Sequence, residues 1–375
     1  MVGAAGAVAA IAVQGCATEG ELRPMPKFAY VGCYTAKQRN GRGEGITVHR
    51  IDEASGAWTQ IQLVKTADNP SWLELDRAKR FLYAAHGDGE MVSAFRIDEQ
   101  SGQISALATQ EAKGRNGVRL GVDASNKFVV CANYATGTVA LLPIRADGSL
   151  GPVSDLQALP GKPGPHRTQQ PYSQPHDVVF DRRGRFIVVP DKGLDATFVF
   201  SLDAANGKLV PATPPSVKSR AGAGPRHADF HPTKPVLYLL NELDSTITTY
   251  RFEGERGALA PVQVITTLPT DFTGDNTTSE IVATGRFVYA SNRGHDSIAV
   301  FAIDEASGTL SPVAWTPTQG RTPRFFAIEP SRGILYAANM DSDAIVAFSI
   351  DASSGRLSPT GQTVRTGSPS SIVFR

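Results

Sequence analysis

The sequence predicts an all-β fold, a seven-bladed β-propeller, and three observations carry the prediction. One phrase recurs seven times: an apolar alternating run enters an acidic or polar turn ending in Gly, and a new strand-like run follows. The copies read IDEASGAW from Ile51, IDEQSGQI from Ile97, IRADGSL from Ile144, LDAANGKL from Leu202, FEGERGAL from Phe252, IDEASGTL from Ile303 and IDASSGRL from Ile350. Their turn glycines, Gly56, Gly102, Gly148, Gly207, Gly257, Gly308 and Gly355, are spaced by 46, 46, 59, 50, 51 and 47 residues. A period near 50 made of short strands marks a propeller or a related β-array. The third observation is that the two ends of the chain are out of phase with the repeat.

Each repeat divides into four strands, A to D from the channel outward. Strand A reads PSWLELD from Pro70, NGVRLGVD from Asn116, PHDVVFD from Pro175, PRHADFH from Pro225, SEIVATG from Ser279, PRFFAIE from Pro323 and PSSIVFR from Pro369. Strand B follows as FAYVGCY, FLYAAH, FVVCANY, FIVVPD, VLYLLNE, FVYASNR and ILYAAN. Strand C leads into the Gly turn and strand D leaves it. The chain opens on a B-type strand, Phe28 to Tyr34, and closes on an A-type strand, Ser370 to Arg375. Pairing the two in one blade closes the ring and hides both edges. The 59-residue interval holds an insertion, Gly161 to Gln174, whose Pro, Gly and Gln content reads as a loop; it leads straight into His176.

Length alone, 375 residues, suggests two or three domains. The repeat overrides this, because one small sheet cannot bury both of its faces and seven packed in a ring share one core. One propeller is therefore expected over residues 27–375. The 36 glycines and 25 prolines suit many turns, and a net charge of +1 without a basic stripe gives a nucleic-acid role little electrostatic support, so no nucleic-acid partner is expected. Three cysteines, Cys16, Cys33 and Cys131, form no disulfide framework, and no CxxC or HExxH metal spacing occurs, so neither metal nor cofactor is expected. Residues 1–26 stand apart. Val2 to Val13 is a short apolar run, too short to span a bilayer, and VQGC ending at Cys16 has the form of a lipoprotein box, although no Arg or Lys precedes it. The expectation is a signal-like or disordered segment with a linker, a possible lipid anchor at Cys16 and no transmembrane segment. A periplasmic or envelope location follows, with the cytoplasm as the alternative.

In an antiparallel blade the start of strand A and the end of strand B lie at the same end. All seven pairs therefore ring one mouth of the channel. That list is polar: Tyr34, His86, Asn133, Tyr134, His176, Asp191, Lys192, Arg226, His227, Asn241, Glu242, Glu280, Asn292, Arg293, Arg324 and Asn339. The opposite end carries monotonous hairpin turns. Arg226, Arg293 and Arg324 sit at three consecutive mouths and suit a carboxylate or phosphate. Glu242 or His176 could activate water, and the cations could stabilise an oxyanion. No GxSxG elbow supports a covalent serine mechanism. Arg293 with Glu242, and His176 with Asp177, also fit plain inter-blade pairs. His227 and His231 fit structural roles, and Trp58, Trp72 and Trp315 fit packing.

GPRHADFHP followed by LYLLNE, TSEI, FVYASNRGHDSI and TPRFFAIEP resembles the seven-bladed propeller lactonases, the family of the propeller-type 6-phosphogluconolactonases and the carboxy-cis,cis-muconate lactonising enzyme. QPHDVVFD, VVPDKGLD and CANYATGTV match its middle blades, and the resemblance spans residues 28 to 375. It implies catalytic roles for His176 in QPHD, Arg226 in GPRH, Glu242 in LNE and Arg293 in SNRG. Arg324, Asn292, Asn133, Asp191 and Glu280 are the expected substrate-binding residues. The implied reaction is hydrolysis of a sugar lactone, 6-phosphoglucono-1,5-lactone or a related aldonolactone. A muconate-type cycloisomerase and a non-catalytic propeller binding a protein or envelope ligand are the alternatives. The expected partner is a small-molecule lactone and the expected state a monomer.

Overall fold

The computed structural model describes residues 25–329 and 331–375. Among these, 28 strands form seven four-stranded antiparallel sheets set in a ring. The innermost strands are Pro369–Phe374, Pro70–Leu75, Gly117–Val122, Val179–Phe180, Pro225–Phe230, Thr277–Ala283 and Pro323–Glu329, for blades one to seven. The signal-like segment and Cys16 lie outside the described residues. Cys33 and Cys131 are free and buried.

Blade one is assembled from both ends of the chain. Phe28–Cys33 pairs antiparallel with Pro369–Phe374, setting Ala29 opposite Phe374, Tyr30 opposite Val373 and Val31 opposite Ile372. The Arg375 carbonyl accepts from the Lys27 and Phe28 amides at 2.7 and 3.0 Å. The ring closes as the out-of-phase ends predict.

The core lies between blades. One residue of each of six inner strands (Leu73, Leu120, Ala228, Ile281, Phe326 and Ile372), and Val178 just before the short inner strand of blade four, is at most 4% exposed and packs into these interfaces. The Gly turns, which the sequence presents as plain hairpins, also join blades. Their glycines have φ from 61° to 89°, left-handed values that favour Gly. Four of their carbonyls accept a tyrosine hydroxyl from the preceding blade: Tyr30 to Gly102, Tyr83 to Gly148, Tyr238 to Gly308 and Tyr289 to Gly355, at 2.9 to 3.1 Å. Each buried hydroxyl thereby gains its partner, and neighbouring sheets are held in register.

Two irregularities shape the mouth. The inner ladders slip between Pro70 and Trp72, Gly117 and Arg119, Pro225 and His227, Thr278 and Ile281, and Pro323 and Phe325. Each slip is a bulge that sets two residues against one and re-aims their side chains. As a result, consecutive residues such as Arg226 and His227, or Arg324 and Phe325, line one channel cavity. Blade four differs from the strand expected from Pro175. Its inner strand is only Val179–Phe180, with an isolated bridge from Pro175 to Asp191. Here the Asp177 carboxylate takes the amides of Val178 and, across the interface, Ala228, at 2.8 and 2.9 Å. Side-chain acceptors replace the ladder, and His176 stands at the break.

Candidate active site

Strand B ends on a side chain whose polar groups are bonded behind the mouth, in three cases to the segment entering from the preceding blade. Asn133 donates to the carbonyl of Ala112 at 3.3 Å and accepts from Cys131. Asn292 donates to Thr267 O at 2.9 Å and accepts from the Thr267 hydroxyl at 2.7 Å and from Asn276 at 3.1 Å. Asp191 accepts from the amides of Gln174 and Leu194 at 2.8 and 2.9 Å and from Ser173. Asn241 and Asn339 do the same work. Asn133, Asp191 and Asn292 have no measurable exposure. These three, expected among the substrate contacts, lie behind the mouth with their polar groups used locally. At four of these five strand ends the next residue is presented at the mouth: Tyr134, Lys192, Glu242 and Arg293.

Glu242 is the hub. Its Oε2 lies 2.9 Å from Arg226 Nε and 3.4 Å from Arg293 Nη2, and its Oε1 lies 3.1 Å from Lys192 Nζ. Arg226 is 2% exposed and Lys192 3%. Both guanidinium forks are fixed from behind, Arg226 by the Ser279 carbonyl and Arg293 by that of Thr278 at 2.6 Å. Lys192, noted at the mouth but not singled out from sequence, also donates to the Tyr134 hydroxyl at 3.3 Å and to Gln169 Oε1 at 2.9 Å. Gln169 belongs to the 161–174 insertion. Gln170 anchors that loop by donating to Lys192 O at 2.8 Å and to Asp195 at 2.7 Å. The loop thus forms one wall of the site.

His176 packs edge-on against Tyr134 and His227, with ring centroids 5.4 and 5.2 Å away. Arg324 lies over the Tyr34 ring at 5.1 Å and donates to its hydroxyl at 2.8 Å. Glu280 sits one step down the channel, its Oε1 3.1 Å from His227 Nδ1. Expected among the substrate contacts, it lies here in the layer beneath the mouth, against His227. The same layer holds Arg119, 2.8 Å from Asp177 and 3.9 Å over the Trp72 ring. Sequence reasoning missed Arg119, because its place in the channel depends on the bulge after Gly117.

Burial and charge set the protonation states. Burial alone would raise the Glu242 carboxyl, but Arg293, Lys192 and Arg226 outweigh it and hold the group well below the usual carboxylate range. Burial, reinforced by Arg226, drives His176 well below the usual imidazole value, so it is neutral at pH 7. The arrangement can hold an anion, stabilise an oxyanion and move a proton. Among the described residues, no group of three or more His, Cys, Asp or Glu could hold a metal ion.

The family described as "Lactonase, 7-bladed beta-propeller" matches residues 28–374. A 6-phosphogluconolactonase of Bacillus subtilis is 36% identical over 319 residues, covering 83% of this chain and 88% of that protein. A periplasmic gluconolactonase of Pseudomonas aeruginosa superposes with a TM-score of 0.85 at 31% identity, covering 92% of this chain and 98% of that one. From its first strand to its last, the chain belongs to the seven-bladed β-propeller lactonases.

Proposed function

We propose that the mouth hydrolyses a sugar lactone carrying an acid group, with 6-phosphoglucono-1,5-lactone the best fit. The observation that carries this is the charge count: Lys192, Arg226, Arg293 and Arg324 face one carboxylate, Glu242. Buried cations without equal countercharge are costly, and an anionic ligand relieves that cost. The name of the Bacillus subtilis relative agrees. The plain aldonolactone goes with the envelope location and with the Pseudomonas relative. The four cations favour the phosphorylated substrate, and with it the cytoplasm. No helix of the described residues is long and apolar enough to cross a membrane. A monomer suffices for this site, and neither the cycloisomerase nor the binding-only reading gains support.

Catalysis then needs four actions. Two guanidinium groups hold the acid group and the carbonyl oxygen. The substrate anion competes for Arg226, Arg293 and Lys192, which loosens their hold on Glu242 and raises its basicity. Glu242 takes a proton from the attacking water. His176 gives one to the ring oxygen as the carbonyl carbon–oxygen bond breaks. The test is kcat/KM for the phosphorylated and plain lactones, each corrected for spontaneous opening. Preference for the phosphorylated lactone supports the proposal, and equal or reversed preference overturns it.

A further inference from the structure

A neutral imidazole is a poor acid unless its second nitrogen regains a proton in the same motion. His176 faces that difficulty, because burial keeps it neutral. Its Nδ1 is buried without a hydrogen-bond partner, as is the Nε2 of His227. The two rings, 5.2 Å apart, line a single polar cavity with Arg226, Arg324, Tyr34 and Trp72. The cavity offers about 10 Å³ to the centre of a water-sized body, roughly one water. On its far side His227 Nδ1 lies 3.1 Å from Glu280 Oε1.

We propose that Glu280 and His227, bridged to His176 by one water in this cavity, form a proton relay that reloads His176 as it donates to the leaving ring oxygen. This rests on the lactonase reading above. Before reaction Glu280 carries a proton, and both imidazoles carry theirs on Nε2. His176 Nε2 gives its proton to the ring oxygen, and His176 Nδ1 takes one from the water. The water takes the Nε2 proton of His227, whose Nδ1 takes the carboxyl proton of Glu280. After product leaves, the proton that Glu242 removed from the attacking water returns to His176 Nε2 through the mouth, and the chain runs backwards. Protons balance: one leaves with each hydroxy acid that ionises. Glu280 and His227 act through His176 and touch no substrate.

The charges around Glu280 agree with its starting state. Burial, reinforced by the Asp177 carboxylate and opposed by Arg119 and Arg226, pushes Glu280 up to about 8. His227 is driven well below the usual imidazole value by burial, with Arg226 and Arg119 adding to it. The carboxyl is thus the proton store at neutral pH, and the store empties above about pH 8.

The experiment combines pH–rate profiles with nitrogen-15 NMR of histidine-labelled protein. Wild-type kcat should fall above about pH 8, whereas Glu280→Gln should lose about tenfold or more in kcat, keep KM within about twofold and lack that alkaline limb. In the free wild-type protein, the ring nitrogens of His227 and His176 should shift together with a midpoint near 8. Glu280→Gln should abolish that shift. An unchanged limb and kcat in the variant overturn the relay. So do His227 signals that stay flat across the alkaline range in the wild type, a readout that survives even if the variant fails to fold. The titration needs no lactone, so absent turnover on any lactone would instead sink the substrate reading.

Discussion

Arg226 Nε stands 2.9 Å from Glu242 Oε2, and both side chains are buried at the channel mouth. The pair joins the inner strand of blade five to the end of that blade's second strand, and Arg293 of blade six and Lys192 of blade four close on the same carboxylate. Replacing Glu242 with Gln keeps the shape and removes the charge. Turnover should fall by about 10² or more, as expected for loss of a general base. Stability should also fall, because breaking a buried pair leaves its partners uncompensated, at about 3–5 kcal/mol in comparable sites. Steady-state kinetics with a thermal melt check both, and retained turnover would remove Glu242 from the mechanism.

The same cations should respond to a free anion. Inorganic phosphate is expected to inhibit competitively and to raise the melting temperature, since a ligand of the folded state stabilises by mass action. The rise should be larger in Glu242→Gln, where no internal carboxylate competes. Arg293→Ala should weaken phosphate protection and cut kcat/KM together. Equal phosphate shifts in all three proteins would place the anion elsewhere.

Asn292 separates holding a blade from touching substrate. Its amide donates to Thr267 O and its oxygen accepts from the Thr267 hydroxyl. Asn292→Ala removes both bonds, at about 0.5–1.5 kcal/mol each, while Thr267 keeps the Trp315 indole N–H on its carbonyl and the Ser245 carbonyl for its hydroxyl. The expected result is a lower urea midpoint at unchanged m, with kcat reduced through a displaced Arg293. A variant with wild-type stability and a raised KM would instead place Asn292 among the substrate contacts.

The contrast between Asn292 and Arg293 shows where the sequence is legible. Turn glycines at a fixed interval and apolar alternation follow from local backbone chemistry, so seven blades and the closure between Phe28–Cys33 and Pro369–Phe374 can be read from the chain. Strand polarity also places Glu242 and Arg293 at one end. It cannot resolve a single residue: Asn292 and Arg293 are neighbours, and only the pinned strand end shows which one reaches the mouth. Arg119 is hidden for a second reason. A bulge after the strand's first residue turns two consecutive side chains toward the channel, against the period of two that the alternation assumes. The Tyr238 bond to Gly308 is invisible for a third, since it spans 70 positions and depends on the packing angle of two sheets.

Glu280 ties stability to pH. Its carboxyl is raised from 4.5 to about 8 in the folded protein. Between those values the folded state keeps a proton that the unfolded chain releases, so ν_U is smaller than ν_N and stability falls as pH rises. The contribution is fully present below the unfolded value and is lost through the folded one. The melting temperature of Glu280→Gln should therefore depend less on pH between 5 and 8 than that of the wild type. Parallel curves would mean that Glu280 is ionised in the folded protein.

Ring closure can be tested by removing the last six residues, Ser370 to Arg375. This strips the inner strand from blade one and exposes the edge of Phe28–Cys33. It also removes Ile372, 2% exposed, and Ser371, whose hydroxyl accepts from the Leu73 amide of blade two at 3.1 Å. Unlike the loss of an ordinary terminal strand, it opens two interfaces at once, because blade one packs against both blade two and blade seven. Unpaired edges also template aggregation. The truncated chain should melt well below the full-length protein or without a single cooperative transition, and it should self-associate on size exclusion. Adding the synthetic peptide PSSIVFR should recover part of the loss by strand addition. A truncated chain that melts like the intact one would show that the ring is held by inter-blade packing alone, with the terminal pairing contributing nothing.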